Sequence, residues 1–240
     1  MAFWIIKIMA TTIGETGADY LSFRMGLGLT GTTIVTALVL IGVLMMQLRA
    51  RRYLPPLYWL TVVLLSVVGT LITDSLTDTF GVSLYLSTLV FGVLLGAVFA
   101  IWFARERTLS IHSVFTRPRE LFYWLAILLA FALGTAAGDL VAETLRWGYA
   151  LSAVVFGGLI CAATIAWIAF RANAVAIFWI AYVLTRPLGA SIGDLLSQPI
   201  RSGGLGFGAE QVSVGFLAIL ILLIGSLTLA RRRRMATPAQ

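Results

Sequence analysis

One cysteine and one histidine in 240 residues leave the chain without the means to build an internal disulfide, or a metal cage of thiolates or imidazoles. Cys161 sits in an apolar run and reads as a small packing residue; His112 sits in a basic loop and reads as solvated. Charge is equally sparse. Only 11% of the residues are Asp, Glu, Lys or Arg, against 60% hydrophobic, and the mean hydropathy is +0.99. So few polar groups cannot cover the surface of a soluble domain, and the bilayer is the expected solvent. No nucleophile spaced with a base, no metal-ligand motif and no phosphate-binding glycine loop appears, so neither an enzyme nor a cofactor is expected.

What is present is long apolar runs. They divide the chain at about 3–22, 27–48, 57–76, 83–103, 122–142, 147–170, 174–196 and 211–230, about eight helical spans of roughly 20 residues with no sizeable soluble domain between them. The opening stretch, Met1 to Met9, carries Lys7 inside its apolar run and lacks a small-residue cleavage site, so it reads as the first span and not as a signal peptide. Basic residues follow the even spans: Arg49, Arg51, Arg52, Arg105, Arg107, Arg117, Arg119, Arg171 and the run Arg231 to Arg234. The opposite connections hold Arg24, Arg146 and Arg201 beside the acids Asp78, Glu143 and Glu210. The positive-inside rule then places both termini on the cytoplasmic side of the membrane. The pI of about 10.2 follows from this asymmetry, and nucleic acid is not expected as a partner because the basic runs hug the membrane.

The chain repeats itself. From Trp4, the tenth residue on is Gly14 and the fifteenth is Asp19; from Trp59 they are Gly69 and Asp74; from Trp124, Gly134 and Asp139; from Trp179, Gly189 and Asp194. The second helices match more loosely, as in Leu86-Ser87-Thr88-Leu89-Val90-Phe91-Gly92 against Leu151-Ser152-Ala153-Val154-Val155-Phe156-Gly157. Four units follow, at approximately 3–52, 57–107, 122–171 and 177–234, within one membrane domain covering 1–240. Each unit holds two spans, so successive units enter the membrane in the same direction. These are parallel repeats, which favour a pseudo-symmetric bundle around one shared path.

The Trp residues and segments such as Lys7-Ile8-Met9-Ala10-Thr11-Thr12-Ile13-Gly14-Glu15 and Thr185-Arg186-Pro187-Leu188-Gly189-Ala190-Ser191-Ile192-Gly193-Asp194 carry a family resemblance over nearly the whole chain. It resembles bacterial membrane-anchored proteins made of four tandem two-helix repeats, each with a characteristic Trp. The resemblance implies the eight-span repeat architecture and no particular activity.

Polar residues in the odd spans fall on one helical face, because positions four apart stack above one another. Span one offers Lys7, Thr11, Glu15 and Asp19; span three Ser66, Thr70 and Asp74; span five Thr135 and Asp139; span seven Arg186 and Asp194. The stripes converge if the odd helices are inner and the even helices outer. A charge at mid-membrane costs about 2.5 kcal/mol or more, which turns such groups toward the interior. Five acids against Lys7 and Arg186 leave an excess of about three negative charges, so protons or cations must share the site.

Each Asp lies about 22 Å along its helix from the Trp, toward the periplasmic end. A carboxylate there opposes the helix macrodipole, although tying helix ends to loop amides remains a structural use for it. Gly14, Gly69, Gly134 and Gly189 read as helix-packing positions, or else as points that widen a path. Trp4, Trp59, Trp124 and Trp179 read as interface anchors, or else as cavity lining. Arg186 is expected to pair with Glu15, whose equivalents are Thr70, Thr135 and Ala190, with Lys7 in the same network. Pro187 is expected to break span seven and to turn carbonyls toward a cavity.

The path reading therefore takes in Glu15, Asp19, Asp74, Asp139, Asp194, Thr11, Ser66, Thr70 and Thr135, with Glu15, Asp19 and Asp194 as metal ligands. It points to a transporter or exporter of a hard divalent ion such as magnesium or manganese, or of a proton-coupled ion, because the ligands are carboxylates, hydroxyls and carbonyls. Two alternatives stand beside it. One is a proton-driven exporter of small organic cations, for which the interior aromatics Phe131 and Tyr182 are suited. The other is a membrane scaffold or regulator whose acids are structural. The bilayer and a cation are the expected partners, with a homodimer compatible with the sequence.

Overall fold

The structure is a computed structural model that describes residues 2–50 and 53–236, with backbone alone from 230 on. Arg51, Arg52 and the side chains of Arg231 to Arg234, which count toward the charge asymmetry, lie outside the described residues. Eight α-helices follow one another: α1 Ala2–Asp19, α2 Gly28–Arg49, α3 Pro55–Asp74, α4 Leu84–Glu106, α5 Arg117–Asp139, α6 Gly148–Phe170, α7 Ala174–Ser197 and α8 Ala209–Ala236. Among the described residues, seven of these are long and apolar enough to cross a membrane. The exception is α1, which carries Lys7, Glu15 and Asp19 within 18 residues.

Local chemistry sets the helix starts. Pro55 occupies the first turn of α3, where its missing N–H costs nothing, and Pro118 does the same in α5. Ser83 caps α4 by accepting from Leu86 N, and Asn173 caps α7 by accepting from Val175 N and Ala176 N. The ends of the first three odd helices are unusual. Directly after Asp19, Asp74 and Asp139 the chain widens into π-helical turns, Tyr20–Arg24, Ser75–Thr79 and Leu140–Thr144. The carbonyls of Tyr20, Ser75 and Leu140 accept from the amides five residues on, at 3.1, 3.2 and 2.9 Å.

The fourth repeat cannot do this, because Pro199 interrupts the run after Gln198. Its longer connection folds back instead, and the amides of Leu205, Phe207 and Gly208 bond the carbonyls of Leu195, Leu196 and Ser197 at the end of α7. Pro187 lies inside α7 without breaking it, which corrects the expected interruption. The neighbouring Thr185 carbonyl accepts from Thr11 Oγ1 of α1 at 3.1 Å.

Packing runs in a cycle. The odd helices meet their neighbours in the order α1, α3, α5, α7 and back to α1. Each even helix lies against the odd helix of the following repeat: α2 on α3, α4 on α5, α6 on α7, and α8 on α1. A repeat therefore packs its second helix mainly against its successor, and the last closes the cycle on the first, with further contacts from α8 to α3 and α7. In the apolar stretches of the even helices 11–17% of residues are buried, against 50–61% in α3, α5 and α7. The exposed faces of the even helices carry large apolar side chains such as Leu38, Leu89, Val154 and Leu222.

The recurrent glycine makes the cycle possible. An added Cβ at Gly14 would strike Ser66, at Gly69 Phe131, at Gly134 Arg186, and at Gly189 Thr11. Each struck residue stands seven places after the Trp of the next repeat, so one contact is used four times. Gly69→Ala is expected to lower stability by about 1–3 kcal/mol, because its Cβ would sit 2.8 Å from Phe131 Cβ and 3.1 Å from the backbone nitrogen of Ala132. Gly96→Ala, with nothing within 4 Å of the added atom, should stay within about 0.5 kcal/mol. Thermal unfolding of the two variants in one detergent checks this, and equal losses would remove the glycine contact as the basis of the cycle.

Candidate functional site: an acid-lined recess above a buried arginine

The axis between the odd helices is built in tiers, and the tier at the Trp end is aromatic. The residue before each Trp is aromatic: Phe3, Tyr58, Tyr123 and Phe178. Each packs on the Trp of the next repeat, Phe3 on Trp59 at 5.4 Å between ring centroids, Tyr58 on Trp124 at 5.6 Å, Tyr123 on Trp179 at 6.1 Å and Phe178 on Trp4 at 5.6 Å. The Tyr58 and Tyr123 hydroxyls share a hydrogen bond of 2.6 Å. Trp59, Trp124 and Trp179 are consequently only 2–4% exposed. These three rings pack the odd helices against one another, a role that the reading as interface anchors does not include. The paired aromatic before each Trp was visible in the sequence, but a belt reading gives it no role.

One turn further in, Lys7 is completely buried. Its ammonium donates to Thr185 Oγ1 at 3.2 Å and lies 4.2 and 4.0 Å from the ring centroids of Phe131 and Tyr182, which stack in parallel. Among the described residues no carboxylate lies within ion-pair distance of it. Lys7 thus stands apart from the Glu15 and Arg186 pair with which the sequence grouped it, because it sits two turns away along α1. It touches that pair only through the Thr11 and Thr185 contacts.

Arg186 occupies the centre and has no exposed surface. Its Nη2 donates to Glu15 Oε2 at 2.6 Å, to Thr135 Oγ1 at 2.9 Å and to Thr70 Oγ1, while Nη1 donates to the Thr11 carbonyl at 2.9 Å. Glu15, Thr70 and Thr135 hold the same place in repeats one, two and three, eleven residues after the Trp, and the fourth such residue is Ala190. One guanidinium from the last repeat therefore binds side chains from the other three. Nε has no partner among the described residues.

Above Arg186 the axis opens into a recess of about 130 Å³. Its wall has two levels. The lower is the four repeat aspartates, Asp19, Asp74, Asp139 and Asp194. The upper, four residues on and carried by the π turns and the end of α7, is Phe23, Asp78, Glu143 and Gln198. With Glu15 at the base, seven of the chain's ten acidic residues line this one space, and among the described residues no Lys, Arg or His does. Asp78 and Glu143 read as loop acids in the sequence, because hydropathy falls before them while the helix does not end.

The carboxylates are only partly satisfied. Asp19 accepts from Gln198 Nε2 at 3.3 Å and Glu143 from Tyr149 at 3.3 Å. Among the described residues Asp74, Asp139 and Asp194 receive no hydrogen bond, although Asp194 is only 7% exposed. Glu15, Asp139 and Asp194 each place a carboxylate oxygen within 4.8 Å of the others, a set able to hold a cation. This corrects the expected trio of Glu15, Asp19 and Asp194: Asp139 takes the third place, and Asp19 is turned to Gln198. Thr11 and Ser66 are not among the residues that line the recess. They fill the close contacts with Gly189 and Gly14, and Thr70 and Thr135 are spent on Arg186.

A closed cycle of four parallel two-helix units, aromatic at one end and acidic at the other, defines a repeat-built helical protein. The chain belongs to the family described as Repeat of Unknown Function (DUF347), whose model matches it four times, at residues 2–53, 57–108, 122–173 and 177–233. No curated protein and no solved structure matches it.

Replacing Arg186 by Met is expected to destabilise the fold by about 3–5 kcal/mol, since it leaves Glu15 buried at 6% exposure without its counter-charge. The double variant Glu15→Gln with Arg186→Met should regain most of that loss, because no charge is then left unpaired. Unfolding midpoints of the two variants measure the coupling; a double variant no more stable than the single would show that the pair does not carry the stability.

Proposed function

We propose that the protein is a transporter or exporter that moves a cation across the bacterial inner membrane, with the acid-lined recess as its binding site. All eight helices span, α1 included: its three charged residues turn inward, so its lipid-facing side is as apolar as the others. The odd helices surround the path and the even helices face lipid, which suits the large apolar side chains exposed on them. Both termini are cytoplasmic, and the recess opens to the periplasm. The carrying observation is the convergence of seven of ten carboxylates on one space of about 130 Å³ that no basic side chain lines. Three of these carboxylates receive no donor among the described residues, and such a group at membrane depth requires a proton or a cation.

Oxygen ligands alone favour a hard divalent ion, magnesium or manganese, over zinc or copper. Glu15, Asp139 and Asp194 supply three oxygens, and the volume of the recess leaves room for the ion to keep several waters, as magnesium prefers. The interlocked rings at the Trp end close the cytoplasmic side, so this form is loaded from one side only. A second reading has its own support. The Phe131 and Tyr182 rings hold the Lys7 ammonium as an aromatic site would hold an organic cation.

The test is flux in proteoliposomes. Asp139→Asn with Asp194→Asn is expected to cut manganese flux at least tenfold while leaving the protein folded by its unfolding midpoint. Unchanged flux would sink the transport reading. Loss of a fluorescent organic-cation flux with manganese flux absent in the wild-type protein would favour the second reading over the first.

A further inference from the structure

We propose that Arg186 is a tethered counter-ion for the cation site: its guanidinium holds Glu15 while the site is empty, and an incoming cation takes Glu15 from it. The inference rests on the cation reading above and adds how the site is kept and released.

Glu15 faces two ways. Its Oε2 receives Arg186 Nη2 at 2.6 Å, and the same carboxylate lies within 4.8 Å of those of Asp139 and Asp194. Among the described residues the other two members of the trio have no hydrogen-bond donor to give up, and Asp194 is only 7% exposed. An ion that gathers all three carboxylates must therefore share or displace one positive charge, and that charge is Arg186. Repulsion between two cations across one carboxylate, with the guanidinium fully buried, makes sharing unfavourable.

The hold on the guanidinium is crowded, which suits a contact that has to break. Nη2 carries two protons and faces three oxygens, from Glu15, Thr70 and Thr135, while Nε, fully buried, has none. Released from Glu15, the guanidinium keeps the two Thr hydroxyls and the Thr11 carbonyl, so it need not leave the bundle. What loosens is the contact between the first and last repeats. Arg186 joins α7 to α1 through both Glu15 and the Thr11 carbonyl, and Thr11 Oγ1 in turn bonds the Thr185 carbonyl at 3.1 Å. Occupancy of the recess is thereby connected to the one seam that chain continuity does not bridge.

Repeat symmetry isolates the device. The place of Arg186 is Thr11, Ser66 and Phe131 in the other units, and that of Glu15 is Thr70, Thr135 and Ala190. Only one base and one acid occur at these two levels, so a single exchange per molecule is built in.

Manganese binding to the purified full-length protein, read from the paramagnetic resonance of free Mn²⁺, tests this. Arg186→Gln is expected to bind Mn²⁺ at least tenfold more tightly than the wild-type protein, and Arg186→Lys, which keeps a charge with a shorter reach, to fall between them. Because the ion then replaces the missing guanidinium, Mn²⁺ should also raise the unfolding midpoint of Arg186→Gln more than that of the wild type. If Arg186→Gln does not fold, Arg186→Lys carries the affinity test alone. Affinities of the Arg186 variants equal to or weaker than wild type would overturn the counter-ion role, and the site reading would stand provided Asp139→Asn with Asp194→Asn still weakens Mn²⁺ binding tenfold or more. Should that double variant bind Mn²⁺ as the wild type does, the site reading fails and this inference with it.

Discussion

A guanidinium with no exposed surface has to be given its hydrogen bonds and its counter-charge by the protein, since no water reaches it. Arg186 obtains both from three different repeats, and this single requirement organises the centre of the molecule. Glu15 must reach the axis from α1, Thr70 from α3 and Thr135 from α5, so the four odd helices are held at one height and rotation. The close approach that brings them within reach comes from the glycine three residues further along than the Arg186 level in each unit. Gly134 in particular lies against the aliphatic stem of Arg186 itself. Packing and electrostatics are thus satisfied at the same level of the bundle.

The two ends of the axis show what a repeat does when its residues are kept alike and when they are not. At the Trp end every unit contributes the same pair, an aromatic followed by Trp, and the result is a cycle of four ring contacts, three tilted and one edge-to-face. At the other end every unit contributes an Asp at equal depth. Ionised carboxylates repel one another unless a proton or a cation is shared between them, and here they line a space instead of a plug. The π turns after the first three aspartates extend that wall by one more level, adding Asp78 and Glu143. One symmetry rule therefore seals one end of the bundle and opens the other, according to whether the repeated side chain attracts its copies.

How much of this could be read beforehand varies with the kind of signal. The Trp, Gly and Asp spacing is carried by residue identity, so the four units and the inward face of the odd helices are legible at once. Glu15 and Arg186 stand out as the two breaks in an otherwise regular column, and the structure places them 2.6 Å apart. Lys7 breaks the column as well, yet it goes to Phe131 and Tyr182. Proximity along the sequence cannot tell an ion pair from an aromatic seat when both lie on the same face. The inward turn of Trp59, Trp124 and Trp179 was obscured because Trp suits a membrane interface equally well. Which even helix packs on which odd helix carries no pattern in a sequence where the even helices are apolar all round, so the offset to the next repeat appears only in the fold.

The polar ties between neighbouring odd helices are unevenly shared around the cycle. Between α3 and α5 they are the Tyr58 and Tyr123 hydroxyls and the bond from Thr73 Oγ1 to the Ala132 carbonyl. Between α7 and α1 they include Arg186 to Glu15 and to the Thr11 carbonyl, Thr11 to the Thr185 carbonyl, Lys7 to Thr185, and Gln198 to Asp19. A seam between adjacent repeats is supported by the chain that connects them, and by an even helix that belongs to one unit and packs on the next. The seam between the last and first units has the α8 contact on α1 but no connecting chain. Specific polar contacts take the place of that connection, and they lie along the axis from Lys7 near the aromatic end to Asp19 in the recess. The charges that make the centre of this bundle costly to bury are the same ones that close the cycle, which is why the closure and the acid-lined site cannot be altered independently.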